Sequence, residues 1–180
     1  MKELSLHILD IVQNSLHAGA TEIEVTIAEN LHENLFSVCI TDNGHGIPAK
    51  ELLNLQDPFF TTKKKKTGLG IPLLKQHAEM AGGNIEIKSE VGKGTTITAT
   101  FEHNHFDRQP MGNIAGTITG IIRANPETRF IYKHSFNDKE FALDTTEIKT
   151  ELEDIPINSN EVLRFIQDYI HENLNKLYTK

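Results

Sequence analysis

Four short groups of residues have the types and spacing that chemistry requires. Asp10 and Asn14 stand four apart, so on a helix they share one face. There the Asn amide oxygen can bind a hydrated Mg²⁺ while the carboxylate orients a water or a hydroxyl. Asp42-x-Gly44-x-Gly46 follows an apolar, β-branched run. A buried carboxylate at Asp42 can accept from an adenine amino group, and the glycines let backbone lie against the base. Gly68-x-Gly70 opens a helix-like stretch, where backbone N–H groups and the helix dipole attract phosphate. Lys63, the first of four consecutive lysines, can reach a terminal phosphate, and Thr95 offers a hydroxyl beside Asp42.

These groups need elements to position them. Residues 3–18 carry Leu4, Ile8, Leu9, Ile11, Val12 and Leu16 at helical spacing, with Glu3, His7, Asp10, Asn14 and His17 as a polar stripe. Ile23, Val25 and Ile27 alternate with polar residues as in a half-buried strand, and residues 35–41 form its antiparallel partner across a turn at 30–34. A short helix is predicted near 49–54. Another runs from Gly70 to Gly82-Gly83, with Pro72 tolerable in its first turn. Residues 84–90 and 95–101 read as a β-hairpin, which closes a first unit at 1–101. Residues 102–112 are a polar connector. In 113–180, Asn113 caps a predicted helix through Arg123, where Gly116, Gly120 and the β-branched residues also admit a strand; a hairpin spans 129–145, and Ser159 caps a final helix.

The 180 residues fit one domain, or one domain with an appendage. A formal charge of −7 repels phosphate backbones, so nucleic acid is not an expected partner. Residues 1–101 hold nine Lys, no Arg and twelve acids, and Lys63–Lys66 is their one concentrated positive patch. A single cysteine, Cys39, rules out an intramolecular disulfide, and no apolar run approaches the ~18–20 residues that span a bilayer. No membrane association and a cytoplasmic location are the expectations.

The ensemble resembles the GHKL family, in which gyrase-type topoisomerases, heat-shock chaperones, histidine kinases and mismatch-repair ATPases share the Bergerat ATP-binding fold. LDIVQNSLHAGA (9–20) is similar to the N box, DNGHGI (42–47) to the first glycine box, DPFFTTK (57–63) to the F box, TGLGI (67–71) to the second glycine box, and GKGTTIT (92–98) to the last. The N box looks like that of mismatch-repair ATPases, and the stretch from 57 to 97 like histidine kinases with short lids. The resemblance covers residues 3–101. It implies an α+β fold, a two-layer α/β sandwich with a mixed, largely antiparallel sheet, here with a small C-terminal α/β appendage at 113–180. It also implies ATP and Mg²⁺ as cofactors. Asn14 is then the metal ligand and Asp42 the adenine acceptor. Gly44, Gly46 and Ile47 lie at the base, Thr62 and Lys63 in the F box, and Gly68, Leu69 and Gly70 in the phosphate loop. Thr95 is the adenine-side hydroxyl, and Asp10 with Lys63 forms the catalytic pair.

The implied activity is γ-phosphoryl transfer to a separate protein partner, by a histidine-kinase-like enzyme in signal transduction. The alternative is an ATP-driven switch or slow ATPase, because Asp10 stands where the strongly hydrolysing branches carry Glu. A complete sensor kinase is not expected, since no phosphoacceptor hairpin precedes the N box; a homodimer stays open. Simpler readings stand beside these. The polar stripe of the first helix can be a solvated face, Lys64–Lys66 a solvated loop, Phe59 and Phe60 lid packing, His45 a bystander and Cys39 a core residue of its strand. Gly92-Lys93-Gly94 lacks the earlier glycine and the hydroxyl of a Walker loop, and neither Gly-x-Gly pair continues into a dinucleotide fingerprint.

Overall fold

A computed structural model describes residues 2–55 and 70–179. The elements run α1 (Leu4–His17), β1 (Glu22–Asn30), β2 (Leu35–Asp42), α2 (Ala49–Leu55), α3 (Gly70–Met80), β3 (Asn84–Glu90), β4 (Gly94–Glu102), α4 (Ile114–Ala124), β5 (Arg129–Phe136), β6 (Lys139–Asp144), α5 (Thr145–Leu152) and α6 (Asn160–Tyr178). Six strands make one sheet in the order β3-β4-β2-β1-β5-β6. Only β1 and β5 pair in parallel. The sheet is therefore mixed and largely antiparallel, as the α+β expectation has it. Strict alternation of burial along β1 shows why there are two layers: Ile23, Val25 and Ile27 face the helices while Glu24 and Thr26 face out.

The C-terminal stretch joins the first unit through the sheet. The 129–145 hairpin extends the sheet: β5 lies on β1 with Ile23 opposite Phe130 and Ile27 opposite His134. Phe130, Tyr132, Ile118, Ile166 and Ile170 share one apolar cluster with Ile8, Val12 and Val25. Arg129 ties the three strands at one end, donating to Glu22 at 2.9 Å and to Asp144 at 2.6 Å. Residues 102–112 also pack closely: the carbonyls of Pro110 and Met111 accept from the Leu4 and Ser5 N–H groups at 3.0 and 2.9 Å. They thus satisfy two of the orphan donors at the start of α1. Asn113 caps α4 by accepting from the Gly116 N–H. Ser159 sits at the predicted N-cap of α6, but its hydroxyl makes no cap bond and is buried without a partner.

Two readings change, and one helix goes unpredicted. His7 is 1% exposed, so the polar stripe of α1 is not one solvated face. Cys39 points to the open face of the sheet, beside Thr41 and Thr98, and is not in the core. Helix α5, capped by Asp144, falls in a segment whose weak apolar periodicity gives little signal.

Candidate functional site

The site gathers where the C-terminal end of β2 meets the N-terminal end of β4 and the last turn of α1. Asp42 and Thr95 are register partners on β2 and β4. The half-buried Asp42 carboxylate accepts at Oδ1 from the Gly44 and Thr95 N–H groups (2.9 and 3.3 Å) and at Oδ2 from the Ser15 hydroxyl (2.6 Å). Each carboxylate oxygen has about two acceptor sites. Oδ1 is therefore filled, and Oδ2 keeps one lone pair for a further donor. The Thr95 hydroxyl bonds Ser89 Oγ at 2.8 Å, and Ser89 Oγ also accepts from the Ile47 N–H at 2.8 Å. Ser89 thus knits the 42–47 loop to the start of β4.

Gly46 has φ +72°, and a Cβ there would lie 2.2 Å from the Glu90 carbonyl oxygen. Any side chain at 46 would push the loop off the β3–β4 turn. Asn43 anchors the other flank, its Oδ1 accepting from the Thr21 and Glu22 N–H groups at 2.8 and 2.9 Å. His45 points its ring at the Gly46 carbonyl, with Nδ1 2.6 Å away.

On α1, Asp10 and Asn14 lie half-buried on one face, one turn apart. The Asn14 side chain has no hydrogen-bond partner among the described residues. Asp10 lies against the start of α3: a Cβ added at Gly70 would sit 1.6 Å from Asp10 Oδ2. Only glycine admits this contact. Burial raises the Asp10 pKa above the usual carboxylate range. One turn earlier, His7 Nε2 meets Gln109 Oε1 at 3.1 Å, and Gln109 Nε2 meets His77 Nε2 at 3.3 Å. An amide oxygen only accepts, so His7 Nε2 carries the proton and His77 Nε2 the lone pair. This chain links α1, α3 and the connector beside Gly70.

Burial first, then the nearby His77, lowers the His7 pKa to about 4. Unfolded His7 binds its proton near pH 6.5 and folded His7 only near pH 4, so stability is full above pH 6.5 and declines as pH falls toward 4. Thermal midpoints between pH 7.5 and 4.5 should show this decline. His7→Gln, which keeps a donor for Gln109 and cannot titrate, should show a shallower one.

Asp10, Asn14, Asp42, Gly44, Gly46, Ile47, Gly70 and Thr95 thus gather around one end of the sheet and the α1–α3 junction. Thr62, Lys63, Gly68 and Leu69, with Phe59 and Phe60, lie outside the described residues. Sequence reasoning missed Ser15 and Ser89. Ser15 carried a signal: it falls four residues after Ile11 and seven after Ile8, a polar residue where the apolar stripe requires burial. Among the described residues no group of three or more His, Cys, Asp or Glu is placed to hold a metal ion, and no helix is long and apolar enough to cross a membrane.

Residues 2–105 match the family model described as histidine kinase-, DNA gyrase B-, and HSP90-like ATPase. The sensor histidine kinase ZraS of Escherichia coli (strain K12) is 30% identical over 105 residues, which are 58% of this chain and 23% of that protein. Sporulation kinase D of Bacillus subtilis (strain 168) is 37% identical over 93 residues, 52% of this chain and 18% of that protein. The chain thus spans about a fifth of the length of these relatives. Among solved structures, the N-terminal domain of a DNA repair protein matches with a TM-score of 0.54 at 19% identity, over 80% of this chain and 52% of that one. That likeness speaks for the fold alone. Residues 2–105 are little more than half of the chain, so the shared fold takes in part of the C-terminal stretch.

Proposed function

This chain belongs to the histidine kinase-, DNA gyrase B-, and HSP90-like ATPase family, and on that premise we propose that it binds Mg-ATP and transfers the γ-phosphoryl group to a separate protein partner. One observation carries the reading: Asp42 keeps a single open acceptor site on Oδ2, in a carboxylate otherwise fixed by Ser15, Gly44 and Thr95. A rigid acceptor with one vacancy suits the amino group of adenine better than a hydrated anion. The Asn14 amide, free of partners among the described residues, fits a hard cation that prefers oxygen ligands. Asn14 would hold Mg²⁺, which when bound neutralises phosphate charge. Asp10 would orient the acceptor group, and the start of α3 would direct its N–H groups and dipole toward the phosphates.

The seating of Asp10 favours a second reading, an ATP-driven switch or slow ATPase. Asp10 is one methylene shorter than Glu, is pressed against Gly70 and has a raised pKa. A general base must come within ~3.2 Å of its proton, so this seating suits slow hydrolysis.

Single-turnover consumption of γ-labelled Mg-ATP separates the readings, with Asn14→Ala as background. Label retained on protein, or passed to an added partner, supports phosphotransfer. Label released slowly as phosphate supports the switch. Consumption equal to that of Asn14→Ala, with no bound ATP, would overturn both.

A further inference from the structure

The last helix carries an exposed aromatic pair that the nucleotide chemistry does not use. Phe165 and Tyr169, one turn apart on α6, are 67% and 42% exposed. Their rings stack with centroids 6.1 Å apart and planes 12° from parallel. Tyr169 in turn meets the buried Phe141 of β6 edge to face at 5.6 Å, so the pair stands on the core instead of waving from it. Leaving such rings in water forgoes about 25 cal/mol per Å² of burial. Stacked, anchored aromatics are what protein–protein hot spots are built from.

Acids outnumber bases around the pair. Glu161, Asp168 and Glu172 lie at i, i+7 and i+11 on the same side of α6 as Phe165 and Tyr169, and all three are exposed. None of the three is in an ion pair or side-chain hydrogen bond among the described residues. Lys176, in the last turn, lies on that side too, and Arg164 stands one turn from both Glu161 and Asp168 on the flank away from Tyr169. A second copy brought to this face would set three acids against three acids on chains of net charge −7. Like charges at an interface cost affinity, so the face selects against self-association and for a cationic partner.

We propose that this face of α6 docks a basic amphipathic helix of a partner protein, whose apolar side chain covers the Phe165–Tyr169 stack while its Lys or Arg side chains meet Glu161, Asp168 and Glu172. This goes beyond the nucleotide reading and does not depend on it, since every residue involved lies outside the family-matched stretch.

The test uses the full chain without nucleotide and a synthetic amphipathic Leu/Lys helical peptide as probe. A peptide of the same composition with its helical phase scrambled reports bulk charge attraction, and a Leu/Glu helix reports apolar contact alone. Fluorescence anisotropy should show the Leu/Lys helix binding at least about tenfold more tightly than either control. Phe165→Ala should weaken it about tenfold, and Glu161→Lys with Asp168→Lys and Glu172→Lys by about thirtyfold or more. Circular dichroism should be unchanged, since all four side chains are exposed. Equal binding of the scrambled peptide, indifference to Phe165→Ala, or no binding at all would overturn the proposal. A wild-type dimer that Phe165→Ala dissolves would overturn it too, by making the face a contact between copies.

Discussion

Replacing Asp42 by Asn should lower ATP affinity by at least about 100-fold, with the fold intact. The reason lies in where the donors point. In the native site Oδ1 receives two N–H groups, from Gly44 and Thr95, and Oδ2 receives the Ser15 hydroxyl. An Asn must place its NH₂ on one side or the other. Toward Gly44 and Thr95, N–H faces N–H, and the 42–47 loop loses its anchor. Toward Ser15, the remaining lone pair becomes a donor facing the adenine amino group. The first orientation leaves two N–H groups without their acceptor, at about 1–3 kcal/mol; in the second the Ser15 hydroxyl can turn to the Ile11 carbonyl and accept, so the loss falls on the ligand contact. Calorimetry with Mg-ATP and with ATP in chelator reads the result. Asn14→Ala should weaken only the Mg²⁺-dependent part, and equal affinities in wild type and both variants would sink the assignment.

The second large effect lies at the opposite end of the sheet, six residues along β1 and about 20 Å away at strand rise. Glu29, 7% exposed, accepts from His103 Nε2 at 2.7 Å, from His134 Nε2 at 2.9 Å and from the Tyr178 hydroxyl, while Tyr132 bonds His134 Nδ1 at 2.7 Å. Burial alone would push its pKa up. The hydrogen bonds from His134, Tyr178 and His103 outweigh burial and hold it at about 2. Glu29→Gln would point an N–H at a donor it cannot receive, and leaving a buried polar group unpaired costs about 1–3 kcal/mol. Urea unfolding at pH 7 should show a loss in that range. The carboxylate's contribution is complete above pH 4.5 and fades as pH falls toward 2, so the gap between wild type and variant should close over that window. A gap below about 1 kcal/mol, or one indifferent to pH, would refute the role.

Much of the nucleotide site was legible because its residues sit in short motifs whose spacing matches the element that carries them. Asp10 and Asn14 needed only a helix to share a face. Asp42 needed only the end of a strand to meet its glycines. Ser15 and Ser89 were harder, since a serine says nothing until its neighbour across the sheet is known. The Glu29 cluster was illegible for a related reason. Its members come from β1, the connector, β5 and the end of α6, and His134 is 105 residues from the carboxylate it serves. The solvated-face reading of α1 failed at His7 because Gln109, which bonds its Nε2, arrives from the connector.

The parallel pairing of β1 with β5 bears on how the chain comes into being. Ile23 faces Phe130 across that seam, with every motif but the N box lying between them in the sequence. During synthesis the nucleotide site can therefore be complete in residues while one side of β1 still presents bare N–H and C=O groups. Pairings of such separation form late and slowly. Until β5 arrives, that edge is open to any other extended chain. A fragment cut after the last motif would keep that exposure permanently, and its fate would be to stick to its own copies before it could serve as a smaller enzyme.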